Sequence, residues 1–326
     1  MLWTEKYPIE NLDDLHHHKE LIKNLKKINK NNFPNIYFYG KKGCGKATLV
    51  KLMLKQIFEF KSIKLIKIDM SPNIFFLKNN FYYYIDILLL GKKQENIFTK
   101  FINGIISTKT ITNYQHCFVI TNFEHANKNF LKFVKYYLDK KNSTSKFVFV
   151  SNTLNKNKMV ESFCLPIKIR LINQQEIKLI FNKMKIDDLK ILNHEVENIY
   201  KISENDLTKT LFYFQLKNHD PVEFKKYLKN QENFYDHIYK IISNNKIGNV
   251  VKIREIVNKL MIKNFNIISF IRNFAKYLLK KTNNFEEMIY VLKISVKTTL
   301  CYNDTSKEII LIENFFVKLI RFYTNK

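Results

Sequence analysis

Glycine is scarce in this chain, and half of it is concentrated in one short stretch. Only six glycines occur among 326 residues. Gly40, Gly43 and Gly45 all fall within Tyr39-Gly40-Lys41-Lys42-Gly43-Cys44-Gly45-Lys46-Ala47-Thr48. A sequence this poor in glycine uses it where the backbone must turn tightly or let a ligand approach closely. The Gly-x4-Gly-Lys spacing is that of a phosphate-cradling P-loop, whose backbone N–H groups face the phosphates while the lysine adds a point charge. The apolar run 35–39 before it predicts a buried strand. The run 47–54 after it predicts a helix whose N-terminus faces the anion. One position departs from the pattern. A working P-loop has Ser or Thr where this chain has Ala47, and alanine offers no oxygen to Mg²⁺. Thr48 lies one residue late.

Around this motif the first 168 residues alternate strand-like runs (35–39, 63–68, 82–89, 117–121 and 146–151) with amphipathic helical segments. That alternation predicts an α/β domain built on a parallel sheet covered on both faces. From about 171 the strand signal ends. Short helices are predicted within 174–216, then longer ones from about 232 to 324. The predicted organisation is a P-loop domain over 1–168, a small helical lid over 169–222 and a helical C-terminal domain over 223–326. The segment 267–279 is apolar over more than one helical face, which predicts assembly with other chains through the C-terminal helices.

The net charge is +26, yet only four of the 55 basic residues are arginine. A field of this size attracts polyanions such as nucleic acid, while the Lys-, Asn- and Ile-rich composition also reflects an AT-rich genome. Four cysteines, Cys44, Cys117, Cys164 and Cys301, form no C-x-x-C pair. This argues against structural zinc and a disulfide scaffold and suits a reducing interior. The polar start and the lack of long apolar runs predict a soluble intracellular protein without a membrane span. The triplet His16-His17-His18 has no partner ligands at metal-binding spacing, so no metal site is predicted there.

Several local runs resemble the small subunits of replication factor C, AAA+ clamp loaders that place a sliding clamp on DNA. Trp3-Thr4-Glu5-Lys6-Tyr7-Pro8 is similar to the family's opening, which in relatives folds over the bound adenine and brings Tyr7 to the nucleotide. Phe33-Pro34-Asn35 enters the P-loop strand as relatives do, and Asn152 ends the strand 147–151 where they carry sensor 1. His18-Lys19-Glu20 and Asn80-Phe81-Tyr82-Tyr83 are most similar to the eukaryotic subunit whose ATPase site is degraded. The resemblance implies a hetero-oligomer, a pentamer in the family, with other clamp-loader subunits, a sliding clamp and primer–template DNA as partners, at a nuclear or cytoplasmic replication site.

Measured against that family, the site lacks several groups. The two acidic positions of Walker B hold Thr121 and Asn122, and Glu124 nearby reads as a helix cap. Phe163 stands at the arginine-finger position, Thr208 at sensor 2, and no arginine precedes Arg170. Loss of an arginine finger alone can cost about 10³–10⁵ in rate. The sequence therefore predicts a chain that is not an enzyme: no catalytic residue, ATP or ADP bound weakly or not at all, no turnover, and Mg²⁺ poorly held. For DNA, Lys128, Lys132 and Lys135 form one stripe on a helix and are candidate phosphate contacts. The alternatives are an active P-loop ATPase or nucleotide kinase, which needs a Mg²⁺ ligand and lid arginines, and a stand-alone DNA-binding protein, which needs exposed aromatic and basic residues together.

Overall fold

Successive residues of the strand carrying Tyr37 point into two different cores, and this alternation organises the first part of the molecule. In the computed structural model, which describes residues 2–15, 17–30, 33–60, 65–71, 74–91, 94–106, 116–139, 145–154, 158–183, 193–243, 249–262, 267–302 and 308–324, the chain divides into two units, Met1–His219 and Asp220–Lys326. The first unit begins with α1 (Trp3–Lys6), a single helical turn at Leu12–Asp14 and α2 (Lys19–Leu25). It continues through β1 (Ile36–Tyr39), α3 (Lys46–Phe58), β2 (Ile66–Ser71), β3 (Ile74–Lys78) and β4 (Tyr82–Asp86). Next come α4 (Ile87–Leu90), α5 (Gln94–Ile106), β5 (His116–Thr121), α6 (Lys128–Asp139) and β6 (Ser145–Ser151). It closes with α7 (Lys158–Glu161), β7 (Leu165–Lys168), α8 (Gln174–Lys183), α9 (Asn193–Ile202) and α10 (Leu207–His219).

The seven strands lie in the order β2-β3-β4-β5-β6-β1-β7. From β4 to β7 every pairing is parallel, whereas β2 and β3 add an antiparallel edge. The sheet is thus parallel-dominated rather than wholly parallel. The sequence reading has no counterpart for β3 or for β7, a short and largely exposed run containing Pro166. Period-two alternation splits the core. Ile36, Phe38, Val148 and Val150 pack on the face covered by α3, and Tyr37, Phe118, Phe147 and Phe149 pack on the face covered by α5 and α6. The central strand β5 is buried along its whole length, so it carries side chains of both cores, as strands covered on two faces do.

This order brings the C-terminal ends of β1, β5 and β6 together, the edge at which open α/β sheets bind ligands. In register, Tyr39 lies beside Ser151 and Lys168, and Asp86 beside Thr121.

The second unit contains α11 (Pro221–Ser243), α12 (Asn249–Ile262), α13 (Ile267–Lys281), α14 (Phe285–Tyr302) and α15 (Glu308–Thr324). Asp220 accepts hydrogen bonds from the amides of Val222 and Glu223, both at 2.9 Å. Pro221 takes the first helical position, where its missing N–H costs nothing. The segment 217–221 is therefore the end of one helix and the capped start of the next. α13 buries Phe270, Ile271, Phe274 and Leu278 in the helical core. The apolar surplus expected on α13 lies instead on α14, where Phe285, Ile289, Leu292, Val296 and Leu300 are exposed. No helix among the described residues is long and apolar enough to cross a membrane.

Candidate nucleotide site

The P-loop follows directly from β1. Gly43 and Gly45 have φ of +78° and +86°, backbone that L side chains rarely adopt, and Gly45 leads into α3. Gly40 is required for a different reason: a Cβ there would stand 2.2 Å from the carbonyl oxygen of Ile169. Lys46 folds back over its own loop, donating to the carbonyls of Gly40 (2.6 Å) and Lys41 (2.8 Å) and to Oδ1 of Asn152 (3.0 Å). Burial pushes its ammonium below the ordinary lysine range, against the opposing influence of Cys44 and Glu124. Cys44 is buried, and that burial pushes its thiol up.

Glu124 and Asn152 complete this cluster. The backbone N–H of Asn152 donates to Oε2 of Glu124 at 3.1 Å, and the Asn152 side-chain amide donates to Oε1. Lys46, Asn152 and Glu124 therefore form one connected chain of polar groups, and the Glu124 side chain is only 9% exposed. Reading Glu124 as a helix cap misses this, because the two residues lie on neighbouring strand ends that only the β5–β6 pairing brings together.

The remaining positions singled out in the sequence have varied surroundings. The Thr121 hydroxyl donates to the Ile85 carbonyl at 3.4 Å. Asn122 has left-handed backbone (φ +54°) and donates to Oδ1 of Asp86 at 2.9 Å. Asp86 in turn caps α4 through the Leu88 amide. Ala47 and Thr121 line one small hollow with Tyr82 and Tyr84. Phe163 packs against the sheet core, and Lys135 Nζ lies 6.0 Å from its ring centre. Lys128 and Lys132 are exposed on α6, whose N-terminus is capped by Asn127 through the Phe130 amide.

On the other side of the P-loop is a cleft of about 600 Å³, lined among others by Tyr7, His17, Gly43, Gly45, Thr48 and Leu207. Thr48, one residue late in the motif, faces this cleft. α10 closes down on the loop: the Leu207 amide donates to the Gly43 carbonyl at 3.1 Å. A Cβ on Gly43 would meet the Asp206 carboxylate at 2.2 Å. Asp206 also caps α10 through the amides of Thr208 and Lys209, and Thr208, at the expected sensor 2 position, lines the cleft. An aspartate before a helical run is a legible cap signal, but its contact with a loop more than 160 residues away is not.

His17 and His18 are both buried, with ring centres 4.9 Å apart. Burial, reinforced by the neighbouring His18, lowers His17 to about 4, and burial lowers His18 as well. Nearby, Arg170 makes a bidentate bond to Glu176. Burial favours the protonated acid, but this guanidinium and the Asn173 amide prevail and hold the carboxyl at about 2. Among the described residues no group of three or more His, Cys, Asp or Glu can hold a metal ion; His16 lies outside them.

The P-loop geometry and the similarities converge. The chain is 24% identical over 195 residues to replication factor C subunit 3 of Arabidopsis thaliana, covering 54% of this chain and 55% of the relative. It is 42% identical over 59 residues to replication factor C subunit 5 of Oryza sativa, covering 18% of this chain and 17% of the relative. Over part of its length this chain is similar to replication factor C subunits, and its fold is of the AAA+ kind. The fold is seen across nearly the whole length in AMPPCP-bound DnaA from Aquifex aeolicus, at a TM-score of 0.50, 13% identity and 98% coverage of both chains. No family model matches the chain. The chain spans about half the length of the Arabidopsis relative.

These relationships overturn the expectation that the chain is not an enzyme. Replication factor C subunits and DnaA belong to a class of ATPases, and nothing in the comparisons marks this replication factor C relative as a degenerate member. The physical reason lies in the site: replacing the acids at 121 and 122 does not empty it of carboxylate, because Glu124 is joined to Lys46 through Asn152.

Proposed function

We propose that this chain is a subunit of a hetero-oligomeric clamp loader that places a sliding clamp on primer–template DNA, with an adenine nucleotide seated between the P-loop and α10. The observation that carries this reading is the similarity to replication factor C subunit 3 over 195 residues. The P-loop amides and Lys46 meet the phosphates, and Thr48 offers a hydroxyl from the first turn of α3. Asn152 contacts the terminal phosphate once Lys46 turns from its loop carbonyls to the ligand. Ala47 has no oxygen and the Thr121 hydroxyl is turned to a backbone carbonyl, so neither side chain would hold Mg²⁺ and nucleotide affinity would depend little on the metal. Thr208 supplies no cation to this nucleotide, and Phe163 offers none to the nucleotide of a neighbouring subunit.

Assembly uses the second unit. The exposed residues of α14 recur at 285, 289, 292, 296 and 300, an apolar stripe suited to packing against another helix. Lys128 and Lys132 contribute to a phosphate-binding surface for DNA.

The test is affinity purification of the tagged chain from its native source with identification of its partners, followed by reconstitution of clamp loading on a primed template. Other clamp-loader subunits in stoichiometric amounts are the expected result. A chain that purifies without them, and whose omission leaves clamp loading intact, overturns the proposal.

A further inference from the structure

Beneath the first turns of α3 lies a buried hydroxyl that phosphate chemistry does not use. Ala47, Val50 and Leu54 of α3 and Tyr82, Tyr84 and Thr121 of the sheet help to enclose a hollow of about 10 Å³. Tyr82 is 1% exposed, and its phenolic oxygen is enclosed with no hydrogen-bond partner. Its backbone, by contrast, is matched on both sides. The Tyr82 amide donates to Oδ1 of Asn79 at 2.8 Å, and its carbonyl accepts from the Asn79 amide at 3.0 Å. A phenylalanine would pack against Phe60 in the same place without burying an unmatched polar atom, which is costly.

The neighbouring hydroxyls supply what the phenol lacks. Thr121 donates to the Ile85 carbonyl at 3.4 Å and is also hydrogen-bonded to Tyr84. A hydroxyl has one proton to give, so Thr121 accepts from Tyr84, and the Tyr84 oxygen keeps lone pairs to offer. Burial pushes Tyr82 up to about 12, so its phenol stays protonated at neutral pH and is a donor. Volume then limits the occupant, because about 10 Å³ is near the least that holds one water. A phosphate, a nucleoside or a hydrated metal ion is too large. Charge points the same way: no carboxylate is among the described lining residues, and Lys51, the charged residue there, is exposed. A lining of hydroxyls and apolar carbon favours a neutral guest.

We propose that this hollow binds one structural water, which accepts the Tyr82 proton and donates to the oxygens of Tyr84 and Thr121. Those three partners fall within the two to four that a buried water requires. The water links β4 to β5 under α3 and makes Thr121 part of a neutral hydroxyl network behind the P-loop helix. The inference holds whether or not a nucleotide occupies the cleft.

Two measurements on the full chain test it. A crystal structure that resolves ordered water should show one density peak in the wild-type hollow, about 2.7–2.8 Å from Tyr82 Oη. That peak should be absent from Tyr82→Phe. The second measurement is the sign of the stability change in urea. With water bound, Tyr82→Phe removes a satisfied hydrogen bond and should lower the folding equilibrium constant about two- to tenfold. Over a dry hollow it removes an unmatched buried group and should raise that constant. Tyr84→Phe, which removes a direct bond to Thr121, lowers it in either case and shows that the assay responds. An empty wild-type hollow, a peak that stays in Tyr82→Phe, or a Tyr82→Phe chain as stable as wild type or more so overturns the proposal.

Discussion

Lys46 reaches from the P-loop to Asn152 at the end of β6, with Nζ 3.0 Å from the amide oxygen. Because Asn152 is held in turn by Glu124 through both its backbone and its side chain, the lysine is positioned before any ligand arrives. Lys46→Ala removes a charge-assisted hydrogen bond worth about 1.5–3 kcal/mol and should lower ADP affinity by about 10- to 100-fold. Glu124→Ala frees Asn152 and should give a smaller loss, with ATP turnover falling in both variants. Unchanged affinity in Glu124→Ala, measured by titration, would show that Asn152 needs no support.

Gly43 should tolerate no side chain. Its φ of +78° disfavours an L residue, and the Asp206 carboxylate occupies the space a Cβ needs. Gly43→Ala combines backbone strain with displacement of the α10 cap and should destabilise the first unit by about 2–4 kcal/mol. A urea melt within about 0.5 kcal/mol of wild type would mean that α10 can lift from the loop at no cost.

The buried histidines give the chain an acid-sensitive stability. His17 is held at about 4 in the folded protein against 6.5 when free. The unfolded chain therefore takes up the proton first. The stability is fully present above pH 6.5 and is lost as pH falls from there toward 4. For His17 alone the loss between pH 7.5 and 5 is about 2 kcal/mol, and His18 adds in the same direction. His17→Phe should flatten the profile of denaturation midpoint against pH over this window; an identical slope in the variant would place the acid sensitivity elsewhere.

Leu292 and Val296 are 47% and 55% exposed, so charging them should leave the fold intact. Leu292→Lys with Val296→Lys should keep the helical circular dichroism and the melting temperature while preventing co-purification with partner subunits. Retained assembly at wild-type stoichiometry would remove the α14 stripe from the interface.

Lys128→Ala, Lys132→Ala and Lys135→Ala together should weaken DNA binding by the assembled complex for all sequences alike. They should also reduce the salt slope by about 0.9 for each phosphate that is no longer neutralised. Lys135 lies over Phe163, so the first two substitutions should account for most of the change. A triple variant with wild-type affinity and slope would make α6 an ordinary solvated face.

Local features of this protein are legible in the order of its residues. The spacing of Gly40, Gly43, Gly45 and Lys46 specifies the P-loop, because a left-handed turn between a strand and a helix depends on residues a few positions apart. Short continuous apolar runs specify β1, β5 and β6, and helical periodicity specifies α3, α5 and α6, since each pattern reports the faces that an element must bury. β7 escapes because four mostly exposed residues including a proline carry no such pattern, and β3 because a short edge hairpin is held by pairing rather than by periodicity. Which polar groups meet is settled by packing. Glu124 reaches Asn152 because β5 and β6 are neighbours, and Asp206 reaches Gly43 because α10 packs down on the loop. His17 lines the cleft because the segment before α2 passes close to Gly45. Packing also settles which apolar face stays uncovered: α13 and α14 are both rich in apolar residues, and the helical core buries the surplus of one while leaving the stripe from Phe285 to Leu300 on the surface. Glu124 and Asn152 lie 28 residues apart, and Gly43 and Asp206 much further. Such meetings arise from topology and side-chain packing, which no local spacing encodes.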